Sequence, residues 1–299
     1  HRARRTVTPR NRAMPVAFRW QRPGVAGLMG HPNVTPDTQG KDAGHMADLR
    51  AQFRDGDTSE RTRIKSQLGP TEVEFADIRM VVDPRDNYTE TCLWLNEYPP
   101  EIKSLVALVE LVEDRNMLVF DIGANCGAYS IPLAMAAGDG SRVVAFEPNP
   151  LMIGRLGMNI ALNNLTDRVR IEGCALSDRE GEAMLNFRGH NYGQASLLPI
   201  EGKQQNGGVL VPTRPLSAFT HAARHHDGTI LKIDVEGAEE VVLNPILAQG
   251  KSGGWLPDAI LIEVRHADQW DGDLCAEILA AGYRQTLRAE GNALYIRKT

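Results

Sequence analysis

Asp121, Glu147 and Asp234 each fall at the carboxyl end of an apolar run that reads as a strand. Strand ends of one parallel sheet open on a common crevice, so three carboxylates so placed can face one ligand. Around the first acid the chain reads MLVFDIGANCG (117–127). Gly123 and Gly127 bracket a tight turn that holds Ala124 and Asn125. Glycine there lets a ligand approach the backbone, since no Cβ stands in the way. A dinucleotide loop would need Gly-x-Gly-x-x-Gly, and Asn125 occupies the position of its second glycine. An acidic strand end beside this spacing suits a ligand that is cationic and lacks phosphate. S-adenosylmethionine, with its sulfonium, ammonium and ribose, is such a ligand. A glycine turn with a structural role alone is the plainer alternative.

Glu147 follows Gly127 by 20 residues and ends the second strand, RVVAFEP. An acid at that separation can accept hydrogen bonds from ribose hydroxyls. The alternative is an acid beside the amino end of the helix that follows. Strand alternation in TILKIDVEG (229–237) puts Lys232, Asp234 and Glu236 on one side. A reaction that removes a proton needs a positioned acceptor. Asp234, Glu236 and His266 are the candidate catalytic residues, with Glu263 as a further strand-end acid. Lys232 with Asp234 reads equally well as a buried ion pair, Glu236 as a partner of the next helix, and His266 as a surface residue. Asp234 and Glu263 offer two oxygens to Mg²⁺, but no third ligand is evident, so no metal site is expected. His221, His225 and His226 have helical spacing in a polar stretch and read as a solvated helix end.

These residues need a scaffold. From Met117 onward, strands alternate with helices, which implies a parallel sheet covered on both faces. The expected strands are 117–120, 142–148, 169–177, 229–237 and 258–266, with helices at 129–138, 150–163, 238–250 and 272–281. Pro132 fits only the first turn of its helix. Shorter strands at 182–188, 195–198 and 209–213 form an insertion. Its segment 188–198, with Asn191, Tyr192, Gln194 and Ser196, suits a hydroxyl-rich acceptor or is an ordinary surface loop. YRQTLRA and NALYIRK, separated by Glu290-Gly291, read as a closing antiparallel hairpin. Upstream, 47–68 reads as one charged helix, 72–82 as a strand pair or bulged strand, 91–95 as a short strand, and 102–112 as a helix with a broad apolar face over the sheet's edge or mouth.

Composition narrows the class. Charged residues make up 24% and apolar ones 42% of 299 residues, as in a globular protein. Residues 1–45 carry seven arginines and Lys41 against Asp37 and Asp42, whereas the remainder is acidic, which argues against a nucleic-acid-binding surface. No apolar run approaches the roughly 20 residues that cross a bilayer. Cys92, Cys126, Cys174 and Cys275 form no Cys-x-x-Cys pair, so a reducing, cytoplasmic setting is expected. The expected division is a basic leader (1–46), disordered or vector-derived because Gly44-His45-Met46 looks like a vector junction, then an extension (47–116) and a ligand-binding domain (117–299).

FDIGANCGAYS, VVAFEPNP and LKIDVEGAE, in this order and spacing, resemble the FkbM family of S-adenosylmethionine-dependent methyltransferases. The resemblance covers about residues 90 to 299. It implies an α/β fold: the class I, Rossmann-like, mostly parallel seven-stranded sheet with a C-terminal antiparallel hairpin. It implies that Asp121, Gly123, Ala124, Asn125 and Gly127 line the methionine half of the donor, with Glu147 on the ribose and Cys174-Ala175-Leu176 near adenine. The expected reaction is O-methylation of a small molecule or glycan. N-methylation on the same fold, or a non-catalytic donor-binding module, is the alternative.

Overall fold

The computed structural model describes residues 39–96, 98–188, 191–197 and 205–298. Most of the expected leader lies outside the described residues. Two helices, α1 (Gln39–Asp55) and α2 (Thr58–Gln67), replace the single helix expected at 47–68. The break falls at Gly56-Asp57, where the Asp57 carboxylate accepts from the Glu60 amide and caps α2. β1 (Thr71–Phe75) and β2 (Ile78–Val82) form a hairpin, turned at Ala76 and Asp77 with positive φ at both. The strand expected at 91–95 is instead helix α3 (Tyr88–Asn96). Asn87 caps it through the Glu90 amide, and Cys92, Leu93 and Trp94 are consecutively buried, so their apolar run marks burial rather than a strand.

Helix α4 (Ile102–Val112) packs on α5 (Ser130–Ala136) and on the C-terminal hairpin. Glu290 Oε2 accepts from the Lys103 and Ser104 amides and so caps α4 from across the chain. Between these helices runs β3 (Met117–Ile122), buried throughout. Then come β4 (Arg142–Phe146), α6 (Pro150–Leu162) and β5 (Val169–Glu172). The expected strand 169–177 splits at Gly173: β5 stays in the main sheet and β6 (Ala175–Ser177) joins a second one. That four-stranded sheet has the order β6, β9 (Gln205–Pro215), β7 (Gly181–Arg188), β8 (Asn191–Ser196). The side chains of Asn191, Tyr192 and Gln194 lie outside the described residues.

The chain returns through β10 (Gly228–Ile233), α7 (Glu239–Lys251), β11 (Ala259–Glu263) and α8 (Leu274–Ala280), and closes with β12 (Tyr283–Ala289) and β13 (Asn292–Arg297). The main sheet has the order β12-β13-β11-β10-β3-β4-β5. β13 is antiparallel to both β11 and β12, and the other pairs are parallel. This is the class I methyltransferase sheet. Its two faces carry separate cores, one under α4, α5, α6 and the N-terminal hairpin, the other under α7 and α8. Asn159 of α6 accepts from the Val81 amide and donates to the Val81 and Cys126 carbonyls, so the hairpin is tied to α6 and to the glycine turn. Among the described residues, no helix is long and apolar enough to cross a membrane.

Candidate active site

β3 ends at Ile122, and the chain turns sharply because Gly123, Asn125 and Gly127 all adopt positive φ. The Gly123 and Ala124 amides both donate to the Phe146 carbonyl at 3.0 Å, which ties the turn to the end of β4. Glu147 stands one residue past β4. Its Oε2 accepts from the Asn125 amide at 2.7 Å and its Oε1 from the Asn149 amide at 2.9 Å. Burial pushes its carboxyl up to about 7, against the pull of those two amides. Each oxygen keeps a second lone pair for a ligand hydroxyl.

The turn opens on a cleft of about 1190 Å³, measured with its mouth. Gly123, Ala124, Asn125, Glu147, Ala175 and Asp234 line it, and Cys174 and Leu176 flank Ala175 on an apolar strip. Asp121 and Gly127 do not line it. Asp121 is fully buried beneath the turn, where it accepts from Ser130 Oγ at 2.5 Å. Lys232 Nζ lies 3.5 Å from Asp121 Oδ1 and 3.6 Å from Asp234 Oδ2, and it donates to the Gly123 carbonyl at 3.0 Å. Burial alone would lower the lysine's proton affinity. Asp234, Asp121 and Glu101 together reverse that and hold it above its ordinary value.

β10 ends at Ile233, so Asp234 and Glu236 belong to the turn into α7 rather than to an alternating strand. Glu239, wholly buried, organises that turn: its Oε1 accepts from the Val235 and Gly237 amides, and its Oε2 from Trp270 Nε1. Glu236 takes positive φ, and its carbonyl accepts from Ser196 Oγ of β8 at 2.9 Å. Its carboxylate Oε2 is 3.2 Å from His266 Nε2. Glu263 lines the cleft beside them, pushed up to about 9 by burial and by the charges of Asp234 and Glu236. His221 and His225 lie on a short 3₁₀ helix with His226 as its cap, away from this cluster.

Several residues here carry no signal in the spacing of the motifs. Glu101 is buried just before α4 and accepts from Tyr129 OH at 3.1 Å, and burial raises its carboxyl above the ordinary value. Arg265 bridges Glu101 at 3.5 Å and Glu263 at 3.3 Å. The Tyr129 ring lies 5.1 Å from Lys232 Nζ, in cation–π range. Asn87 donates to the Asn125 side chain at 2.7 Å. These contacts join segments far apart in the chain.

The site fits S-adenosylmethionine on its own geometry. The turn is free of side chain where Gly123 borders the cleft, an acid with spare lone pairs stands one strand over, and an apolar strip lies beyond. The Methyltransferase FkbM domain model matches residues 121–285. "Methyltransferase sdnD" of Sordaria araneosa is 28% identical over 158 residues, which are 44% of this chain and 61% of that protein. The match thus spans less than two thirds of that relative's length. Among solved structures, P. horikoshii TYW2 in complex with MeSAdo is 16% identical over 76% of this chain and 69% of that one, with a TM-score of 0.40. The O-methyltransferase from Bacillus cereus in complex with SAH is 17% identical over 67% of this chain and 80% of that one, with a TM-score of 0.36. The family match covers the glycine turn, Glu147, the turn after β10 and the cluster after β11, so the chain belongs to the FkbM methyltransferase family and carries an S-adenosylmethionine-dependent methyltransferase domain.

Proposed function

We propose that this domain methylates a hydroxyl oxygen on a small molecule or glycan. The observation that carries the reading is the Glu236–His266 pair at 3.2 Å, beside the donor cleft. A hydroxyl must lose its proton as its oxygen is methylated, and an imidazole next to a carboxylate can receive one. The donor, when bound, supplies an already activated methyl group. Gly123, Ala124 and Asn125 would border its methionine part, Glu147 would take the ribose hydroxyls, and Cys174, Ala175 and Leu176 would lie along adenine. The remaining work of the chain is to hold the acceptor in line and draw off its proton.

The cleft also reaches Tyr88, Glu263 and Arg265, beyond the residues assigned to the donor, which supports room for an acceptor beside it. Tyr88, exposed at the rim, offers an aromatic face with a polar tip to a sugar or phenol. The crowding of Asp234, Glu236 and Glu263 favours a second reading, because three carboxylates also suit an amine acceptor. The division into leader (1–46), extension (47–116) and donor-binding domain (117–299) is part of the same proposal. The hydrogen bonds of Asn159 tie the extension's hairpin to that domain.

The test is an acceptor panel of sugars, polyols, phenols and amines with isotopically labelled donor, read by mass spectrometry. Label on oxygen is the expected outcome. Label on nitrogen alone would select the amine reading, and S-adenosylhomocysteine binding without any product would select the non-catalytic module.

A further inference from the structure

We propose that Glu236, Glu263 and His266 form a binding site for one divalent cation of the Mn²⁺ or Mg²⁺ class, beside the donor cleft. One ligand atom from each lies within 4.8 Å of the others. Around a cation with bonds of about 2.0–2.6 Å, neighbouring ligand atoms lie about 3–3.5 Å apart and opposite ones about 4–5 Å. Glu236 Oε2 and His266 Nε2, at 3.2 Å, have the separation of neighbours. The three side chains therefore span the size of one ion.

Glu263 supplies an independent observation. It is only 4% exposed. Its Oε1 faces Arg265 Nη1 at 3.3 Å, but its Oε2 is buried and accepts no hydrogen bond. Its other charged neighbours are Glu236 and Asp234, and its carboxyl is hydrogen-bonded to that of Asp234. The buried Oε2 sits among acids, and a cation held there together with Glu236 and His266 would be shared by all three side chains. The fixed cations nearby are already engaged: Lys232 by Asp121 and Asp234, and Arg265 by Glu101 and Glu263. Asp121, Glu101, Asp234, Glu236 and Glu263 thus outnumber them. Two carboxylates with one imidazole are a hard-to-borderline ligand set, which suits Mn²⁺ better than Mg²⁺ because of the nitrogen.

The role of the ion rests on the hydroxyl reading: an acceptor oxygen that joins the ion as a further ligand becomes more acidic. Binding itself does not rest on that reading. The full chain, stripped with a chelator, is titrated with MnCl₂ while free Mn²⁺ is followed by electron paramagnetic resonance. One saturable Mn²⁺ per chain is expected, displaced by excess Mg²⁺. Glu263→Gln and His266→Ala should each weaken it by about tenfold or more. S-adenosylhomocysteine affinity, measured by calorimetry, reports on fold and donor site in each variant. If Glu263→Gln does not fold, His266→Ala, at a partly exposed position, decides alone. No saturable Mn²⁺ binding by the wild type, or unchanged affinity in the folded variants, overturns the site. The Glu236–His266 pair would then take the proton without a metal, and the hydroxyl reading would stand on the acceptor panel.

Discussion

A Cβ placed on Gly123 would lie 1.9 Å from the carbonyl oxygen of Asp234. The glycine turn after β3 and the chain leaving β10 are therefore in direct backbone contact. Gly123 also holds φ at +79°, which costs a side-chain-bearing residue about 1–3 kcal/mol. Gly123→Ala should lower stability by at least that amount and move Asp234 away from the donor. Urea denaturation and calorimetry with S-adenosylhomocysteine check both effects. A variant with wild-type stability and affinity would mean the two segments separate freely.

Glu147 makes stability depend on pH. Its carboxyl lies at about 7 when folded against an ordinary value of 4.5, and Glu90, raised by burial, is also at about 7. A carboxyl raised by folding binds its proton more tightly in the native state. Its contribution is therefore complete below the unfolded value and is lost as pH rises through the folded one. The melting temperature of the ligand-free protein should fall between about pH 5 and pH 8. Glu147→Gln should flatten that slope by at most about 3 kcal/mol. Melts across that range check this, and a slope unchanged in the variant would assign the effect to the other raised acids, Glu90, Glu101 and Glu263.

Donor binding at the same residue has its own signature. A carboxylate that accepts ribose hydroxyls is favoured in its charged form. S-adenosylhomocysteine should therefore expel a proton when it binds near pH 6, visible as a buffer-dependent enthalpy. Glu147→Ala should weaken binding by about 10- to 100-fold, since bonds to a charged group are worth roughly 1.5–3 kcal/mol each before water compensates. NAD should bind neither protein, and unchanged affinity in the variant would move the ribose elsewhere.

Lys232 holds the floor of the cleft. Lys232→Met leaves Asp121 buried without its cation, which should cost about 3–5 kcal/mol in urea denaturation. Adding Asp121→Asn should recover part of the loss, because the stranded charge is then gone. Losses that simply add would show the two residues to be independent.

Turnover should separate from donor binding at Glu236 and His266. Glu236→Gln and His266→Gln should each slow single-turnover methyl transfer by about 10²- to 10⁴-fold with unchanged S-adenosylhomocysteine affinity. Asp234→Asn should damage both, since Asp234 lines the donor cleft and pairs with Lys232.

The parallel sheet was legible because β3, β10 and β11 are buried throughout and read as mostly apolar runs, interrupted by Asp121 in β3 and by Lys232 in β10. Residues 91–95 misled for the same reason: Cys92, Leu93 and Trp94 are apolar and buried, but on a helix. The break at Gly173 was hidden because 169–177 keeps strand-like residues on both sides while the chain passes between sheets. The acids and glycines of the cleft lie at strand ends, where order along the chain sets order in space. Glu101, Tyr129, Arg265 and Asn87 meet the site through tertiary packing between distant segments, and no periodicity encodes that. The pairing of Glu236 with His266 depends on the positive φ that turns the chain after β10, which alternation cannot anticipate.

Asn87 donates to Asn125 in the glycine turn and caps α3, and it lies where a Cβ on Gly193 would touch it at 2.9 Å. Three stretches of chain that are remote in sequence thus share one side chain at the rim of the cleft. For anyone exchanging parts between relatives to redirect the acceptor, this defines the smallest graft. The β7–β8 arm cannot be moved alone, because its glycine is fitted to an asparagine carried by another segment. The stretch from Asn87 to Glu101 has to travel with it as a matched piece.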